Sequence, residues 1–107
     1  MARELLPGTL DMLVLKTLTR APNHGYGIAQ QIQHLSDDAL RIGEGSLYPA
    51  LQRLLIRKWV SAAWGTSDTG RKVRLYTITA AGRKQLAIEE KDFGVTIAGI
   101  VRVMEGA

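Results

Sequence analysis

The hydrophobic period of the chain changes twice, and the order of these changes limits the fold more than any other feature. Up to residue 58, apolar residues recur every three or four positions, as they do on amphipathic helices. Residues 59–64 and 72–78 lack this period and contain β-branched and aromatic residues, and the turn-rich segment "GTSDTG" lies near their junction. A helical pattern returns after Thr79. The sequence therefore predicts a mainly α fold with a small β-hairpin.

Three short helices are predicted before the hairpin. Thr9 is expected to cap the first helix, which ends at the turn of Pro22 and Asn23. The second helix starts near Asn23 and ends before Asp37 and Asp38. The apolar residues at helical spacing in these two helices are Leu10, Leu13, Val14, Leu18, Ile28, Ile32 and Leu35.

The third helix, in the stretch "GSLYPALQRLL", has two faces of different composition. Its expected buried face consists of Leu47, Ala50, Leu51 and Leu54, and its expected exposed face of Tyr48, Pro49, Gln52, Arg53 and Ile56. Ser46 is the expected N-cap, and Pro49 is tolerated in a first turn because the N–H groups there have no partner within the helix. The hydroxyls of Ser46 and Tyr48 can donate to phosphate oxygens. Gln52 and Arg53 have the reach and the donors to bind base edges, so this face predicts a helix that lies in a DNA groove.

Simpler roles remain open for three of these residues. Ser46 can act only as a cap, and Tyr48 can pack its ring at the edge of the protein with its hydroxyl in water. Arg53 can pair with an acidic residue of the second helix.

The hairpin carries cations next to its tip. Arg71 and Lys72 follow Gly70 directly, and Arg74 comes next on the strand. Such residues can bind backbone phosphates or enter the minor groove, which adds affinity with little sequence preference. The alternative is a merely solvated hairpin, although only Asp68 offsets the three cations.

Positive charge is concentrated in the middle of the chain. Residues 41–84 carry nine basic and two acidic side chains, whereas residues 1–40 and 85–107 each carry more acids than bases. The whole chain of 107 residues has a net charge of +4. A concentrated block of this kind predicts a polyanionic partner, here double-stranded DNA.

These elements are the parts of a winged helix-turn-helix, in which the third helix enters the major groove and the hairpin is the wing. We assign residues 1–79 to this DNA-binding domain and residues 80–107 to a long C-terminal dimerisation helix. In that helix a heptad-like seam is formed by Phe93, Ile97, Ile100 and Met104. Pairing with the same helix of a second chain would bury the seam, and folding back on the first helix is the alternative.

Other classes of protein have little support in the sequence. The chain has no cysteine, which excludes disulfides and thiolate metal sites. Its two histidines, His24 and His34, are not accompanied by a set of acid, base and nucleophile, so we expect no enzyme, no catalytic or metal site and no cofactor. No segment approaches the ~18 apolar residues of a membrane span and no signal-peptide core is present, so we expect a cytoplasmic protein without membrane contact.

Four motifs in succession resemble the signatures of PadR-like transcriptional regulators. They are "HGYGI" from His24, "GSLYPALQRL" from Gly45, "GRKVRLYTIT" from Gly70 and "AAGRKQL" from Ala80. The resemblance covers nearly the whole chain and implies a dimeric winged-helix repressor, usually controlled by a small molecule or a stress signal. The ending resembles the short subgroup, in which a single C-terminal helix replaces a longer helical domain.

The resemblance also implies roles for particular residues. Tyr26 and Gly27 match the start of the second helix, which in the family packs under the third helix and touches the DNA backbone. The residues that match the recognition helix and the wing are Ser46, Tyr48, Pro49, Arg53, Gly70, Arg71 and Lys72. Two positions depart from the family pattern: Lys58 occupies the helix-to-strand turn where a glycine is common, and Phe93 stands where short members commonly have tryptophan.

Together these observations predict a sequence-specific regulator that binds a palindromic operator as a homodimer. We expect a small-molecule effector, if one acts, to bind between the C-terminal helices and release the DNA. The alternative is a winged-helix module that docks on another protein and has no specific affinity for DNA.

Overall fold

The computed structural model describes residues 7–107, which form a mainly helical domain with one small antiparallel sheet. The elements in chain order are α1 (Pro7–Leu18), β1 (Asn23–His24), α2 (Gly25–Leu35), α3 (Glu44–Ile56), β2 (Val60–Thr66), β3 (Lys72–Ile78) and α4 (Ala80–Gly106). The predicted fold class, a winged helix-turn-helix followed by a long C-terminal helix, is confirmed.

The sheet has the strand order β1-β3-β2. The hairpin is antiparallel from the Val60–Ile78 pair at its base to the Thr66–Lys72 pair next to its tip. On the other edge of β3, Asn23 pairs with Tyr76. The sequence predicted the hairpin but not β1, because a strand of two residues is too short to show a period.

Helix α1 lies at the centre of the core. Val14 and Leu15 are fully buried between the apolar faces of α2 and α3. The four predicted buried residues of α3 are confirmed, since Leu47, Ala50, Leu51 and Leu54 are each at most 2% exposed. The base of the hairpin and the start of α4 close the core with Val60, Tyr76, Ile78 and Leu86.

Two of the three predicted helix caps are wrong. Helix α1 already includes Pro7, a residue suited to a first helical turn, so Thr9 lies inside the helix. Helix α3 is preceded by Gly43, whose extended backbone lets its carbonyl accept the N–H of Leu47 at 2.9 Å. Ser46 is therefore not a cap, and Pro49 lies beyond the first turn.

The third predicted cap, Thr79, is confirmed. Its Oγ1 accepts the backbone N–H of Gly82 at 3.0 Å. Helix α4 then runs to Gly106, two residues past the predicted end at Met104.

Helix α3 ends in a Schellman motif without glycine. The N–H of Trp59 donates to the carbonyl of Leu54 and that of Lys58 to the carbonyl of Leu55, both at 3.0 Å. The residue that must turn left-handed in this motif is Lys58, with φ 63°. The sequence had placed Lys58 at this turn, and the structure shows that it adopts the conformation for which glycine is best suited.

Helix α4 packs on the domain with its first part and stays beside α1 as far as Phe93 and Thr96, which line a shallow pocket together with Met12. Leu86 is buried, and Lys16 Nζ of α1 lies 3.3 Å from Glu90 Oε1. Beyond Glu90 the helix is largely exposed. Of the four predicted seam residues, Phe93 lies beside α1, so the alternative in which the seam folds back on α1 is met at that end of the seam. Among the described residues, no helix is long and apolar enough to cross a membrane.

Candidate nucleic-acid interface

The start of α2 and the first turns of α3 come together at one end of the domain. A Cβ placed on Gly25 would lie only 3.2 Å from the ring and the hydroxyl of Tyr48. Tyr48 therefore packs part of its ring on α2, while 48% of the residue stays exposed. Both interpretations of Tyr48 fit this placement, because the ring is at the protein edge and the residue still faces solvent.

A groove separates the start of α2 from the tip of the wing. Its residues from β1 and α2 are His24, Tyr26 and Gln30, and its residues from the wing are Ser67, Asp68, Thr69, Arg71, Lys72 and Val73. Tyr26 is 67% exposed, its ring is parallel to that of His24 at 6.5 Å, and its hydroxyl accepts from Gln30 Nε2 at 3.1 Å. The structure thus brings the predicted residues Tyr26, Arg71 and Lys72 to the walls of one groove.

Gly27 has a different role from the one expected. Its N–H donates to His24 Nδ1 at 3.2 Å, which makes His24 the N-cap of α2. A Cβ on Gly27 would collide with the side chain of Asn23. Since its amide is used and its surface is half-buried, Gly27 serves the packing of the β1–α2 junction and is not a free phosphate donor.

The exposed face of α3 agrees with the prediction at most positions. Ser46, Tyr48, Pro49 and Gln52 are all exposed. Tyr48 and Gln52 are four residues apart and therefore share one face of the helix. Gln52 is the residue of this face best placed to bind base edges, because its amide offers both donor and acceptor.

Arg53 is the main correction to the predicted interface. Its Nη2 donates to Asp11 Oδ1 at 2.7 Å and its Nε donates to Asp11 Oδ2 at 3.2 Å. The two side chains form a bidentate salt bridge between α3 and α1. The hydrogen bond to Asp11 raises the pKa of Arg53 above its ordinary value, so the guanidinium remains charged. Pairing with an acid was the alternative for Arg53, although the acid lies on the first helix and not on the second. Two of the five N–H donors of Arg53 are thus used within the protein, and the side chain is held towards α1.

The tip of the wing is a hydrogen-bonded turn. Ser67 N–H donates to the carbonyl of Arg71 at 2.8 Å, and Gly70, with φ 80°, donates its N–H to the carbonyl of Ser67 at 2.9 Å. The turn directs Arg71 and Lys72 into the exposed part of the wing. This placement suits the predicted phosphate contacts.

The cations of the central block remain free to act at long range. The described part of the chain contains two salt bridges, and Arg53 is the one member of the block that takes part in either. The other members, all exposed, are Arg41, Arg57, Lys58, Arg71, Lys72, Arg74, Arg83 and Lys84. Their field favours the approach of a polyanion.

The sequence did not indicate a role for Trp64, which the structure places next to Lys72, a residue of the groove wall. The residue is 68% exposed on β2, and Lys72 Nζ lies 5.0 Å from the centre of its ring. The register of the hairpin shows the setting of this residue, because it places Trp64 directly opposite Arg74.

The predicted seam of α4 is exposed along its length. Phe93, Ile97, Ile100 and Met104 are 43%, 40%, 52% and 76% exposed. They continue the helix face that carries the buried residues Gly82 and Leu86, at the same spacing of three and four residues. The second half of α4 therefore presents to solvent the kind of surface that its first half buries.

Comparisons with known proteins agree with this architecture. The family model "Transcriptional regulator PadR-like family" matches residues 14–88. A PadR family transcriptional regulator from Eggerthella lenta is 29% identical, with a TM-score of 0.76 over 94% of this chain and 85% of that chain. A transcriptional regulator from Clostridium thermocellum is 26% identical, with a TM-score of 0.81 over 89% and 92% of the two chains. An uncharacterised protein of Lysinibacillus sphaericus is 29% identical over 96% of this chain and 94% of its own length.

Proposed function

The chain belongs to the PadR-like family of transcriptional regulators, and from this premise we propose that it represses its target genes as a homodimer bound to a palindromic operator. Members of this family are regulators of transcription and not enzymes. The proposal concerns the mode of binding, the sign of regulation and the means of release.

The observation that carries the proposal is that three elements meet at one end of the domain, where the wing supplies Arg71 and Lys72. Tyr48 of α3 contacts Gly25 at the start of α2, and the same end of α2 faces Arg71 and Lys72 across the groove. A recognition helix in the major groove would leave the wing cations next to the adjacent phosphates. In this arrangement Gln52 reads bases, and Arg71 and Lys72 supply affinity.

The exposed seam of α4 supports the homodimer. A stripe of large apolar residues on a helix that projects from the domain is stable when a second helix covers it. Two copies of α3, separated by about 34–36 Å in such a dimer, would read half-sites one helical turn apart. The operator would then be palindromic, because the dimer has two-fold symmetry.

Release by a small-molecule effector completes the proposal. An effector bound between the two α4 helices would change the separation of the recognition helices, provided that it binds the two states of the dimer with different affinity. The ring of Phe93 and the aliphatic side chains of the seam are the expected contacts. A ligand that binds without changing operator affinity would contradict this part of the proposal.

Two variants test the assignment of roles in the interface. Gln52→Ala removes a base contact, so we expect affinity for the preferred duplex to fall about tenfold while affinity for unrelated duplexes stays the same. Lys72→Ala removes a phosphate contact, so it should weaken binding to all duplexes to a similar degree. It should also reduce the slope of log affinity against log salt concentration by about one. Fluorescence anisotropy with labelled duplexes over a series of salt concentrations measures both effects.

The same titrations distinguish the alternative function. If the wild-type protein binds no duplex at low salt, and neither variant changes this, the domain is a protein-docking module and the proposal is wrong.

A further inference from the structure

One face of the wing carries two aromatic rings and two cations, and the proposed roles use only Lys72 of these four residues. The hairpin register places Trp64 and Arg74 opposite each other, with the Tyr76 and Lys72 positions on either side along β3. Residues two apart on a strand lie on the same face, so these four side chains form one row. The row runs from the core towards the tip of the wing.

The contacts within the row hold the rings in place. Arg74 Cζ lies 5.9 Å from the ring centre of Tyr76, and Lys72 Nζ lies 5.0 Å from that of Trp64. Tyr76 is buried, at 5% exposure, whereas Trp64 is 68% exposed. The face that contacts the core at the base of the wing is therefore open to solvent near the tip, where it presents an indole between two cations.

From this arrangement we propose that Trp64 contacts the sugar-phosphate backbone of bound DNA, a role that rests on the proposed DNA-binding function. The partner is identified by charge: the ring has Lys72 over it and Arg74 opposite it, a setting that attracts a polyanion and repels a cationic partner. Lys72 also lines the groove that contains Tyr26, so the row meets the candidate interface at this residue. Trp64 supplies apolar contact to deoxyribose, while the cations on either side bind the phosphates.

The row also lowers the cost of binding. A ring that is already held by a cation loses little side-chain freedom when it meets the DNA. Truncating a large aromatic side chain at an interface commonly weakens binding by about tenfold.

The experiment uses the emission of the protein's two tryptophans, Trp59 and Trp64. In Trp59→Phe, Trp64 is the sole tryptophan, and we expect its emission to change on addition of duplex and to become protected from a soluble quencher. In the matched variant Trp64→Phe, which keeps the half-buried Trp59, the emission should not respond to DNA.

Salt titrations separate a DNA contact from a structural role in the hairpin. Trp64→Ala is expected to weaken DNA binding by roughly fivefold to tenfold at every salt concentration. The slope of log affinity against log salt concentration should not change, because the side chain carries no charge. Lys72→Gln should instead lower the slope. Because Trp64 is exposed, both variants are expected to fold, and their far-UV circular dichroism checks this.

Different outcomes would contradict the DNA-binding function and the role of Trp64. If wild-type protein binds no duplex, the proposed function fails. If it binds duplex but Trp64 emission stays constant and Trp64→Ala binds equally well, the role of Trp64 is wrong and the proposed function stands. A response to another copy of the chain, or to a protein partner, in place of DNA would also overturn the assignment.

Discussion

At the scale of single residues, Arg53 shows how a side chain suited to one task can be used for another. Its spacing on α3 placed it beside Gln52, on the face expected to meet DNA. The side chain instead reaches Asp11, which is 6% exposed and has no other salt bridge within residues 7–107 to balance its charge. The need to neutralise Asp11 makes Arg53 part of the link that fixes α3 on α1. The sequence did not predict this pair, because its members are 42 positions apart.

The link between these two helices can be measured with a double-mutant cycle. Arg53→Ala leaves Asp11 buried without its partner, and we expect it to lower the free energy of unfolding by about 1–2 kcal/mol, between the values for exposed and fully buried pairs. The double variant with Asp11→Ala should lose less than the sum of the single variants, because neither charge is then left alone. Urea unfolding at fixed protein concentration gives these values, and additive losses would contradict the structural role.

Lys58 offers a second test at the scale of a residue. Its left-handed backbone costs a side-chain-bearing residue about 1–2 kcal/mol, whereas glycine adopts it freely. We expect Lys58→Gly to raise the free energy of unfolding by about 0.5–1 kcal/mol, after allowance for the greater freedom of glycine in the unfolded chain. Lys58→Ala is the matched control, since it removes the charge but keeps the strain, and equal stabilities of the two variants would contradict the argument.

At the scale of elements, the junction between the sheet and α4 decides where the long helix begins. Thr79 caps the helix, its N–H donates to the carbonyl of Trp59 at 3.0 Å, and its Oγ1 donates to the carbonyl of Lys58 at 2.8 Å. The first turn of α4 is thereby held against the turn between α3 and β2. The sequence predicted the cap from Thr79, but it could not show the tertiary contact that makes Gly82 necessary.

Gly82 is the position at which this contact is closest. A Cβ there would collide with the backbone carbonyl of Trp59, and a carbonyl cannot move aside as a flexible side chain can. We expect Gly82→Ala to lower the free energy of unfolding by about 2 kcal/mol or more, despite the better helix propensity of alanine. Gly94→Ala in the same helix is the control: nothing lies within 4 Å of its Cβ, so it should be neutral or stabilising in thermal melts. Equal effects of the two substitutions would contradict the close contact.

Elements with a strong local pattern were predictable, and those that depend on tertiary contacts were not. The buried face of α3 follows directly from the spacing of Leu47, Leu51 and Leu54, which the structure confirms. The starts of α1 and α3 were placed wrongly, because Thr9 and Ser46 are good caps that an earlier turn makes unnecessary. Strand β1 exists only because β3 offers it a partner.

At the scale of the whole molecule, the chain divides its surface between two tasks. At the end formed by α2, α3 and the wing, the wing carries exposed cations, and the projecting half of α4 is largely apolar. A monomer that used only the end with α3 and the wing would bind DNA weakly and with little selectivity, since one recognition helix contacts few base pairs. Joining two copies through the apolar half of α4 would double the contacts with DNA and fix the spacing of the two recognition helices. The proposed dimer therefore links the seam of α4 to the specificity of α3.

Selection of bound duplexes from a random pool with the purified protein tests this link most directly. We expect enrichment of a palindrome with half-sites about 10 base pairs apart from centre to centre. We also expect Ile100→Asp, which places a charge in the seam, to abolish the enrichment and to yield a monomer in analytical ultracentrifugation. A pool that stays random, or a single unrepeated site selected by a monomeric wild-type protein, would contradict this link.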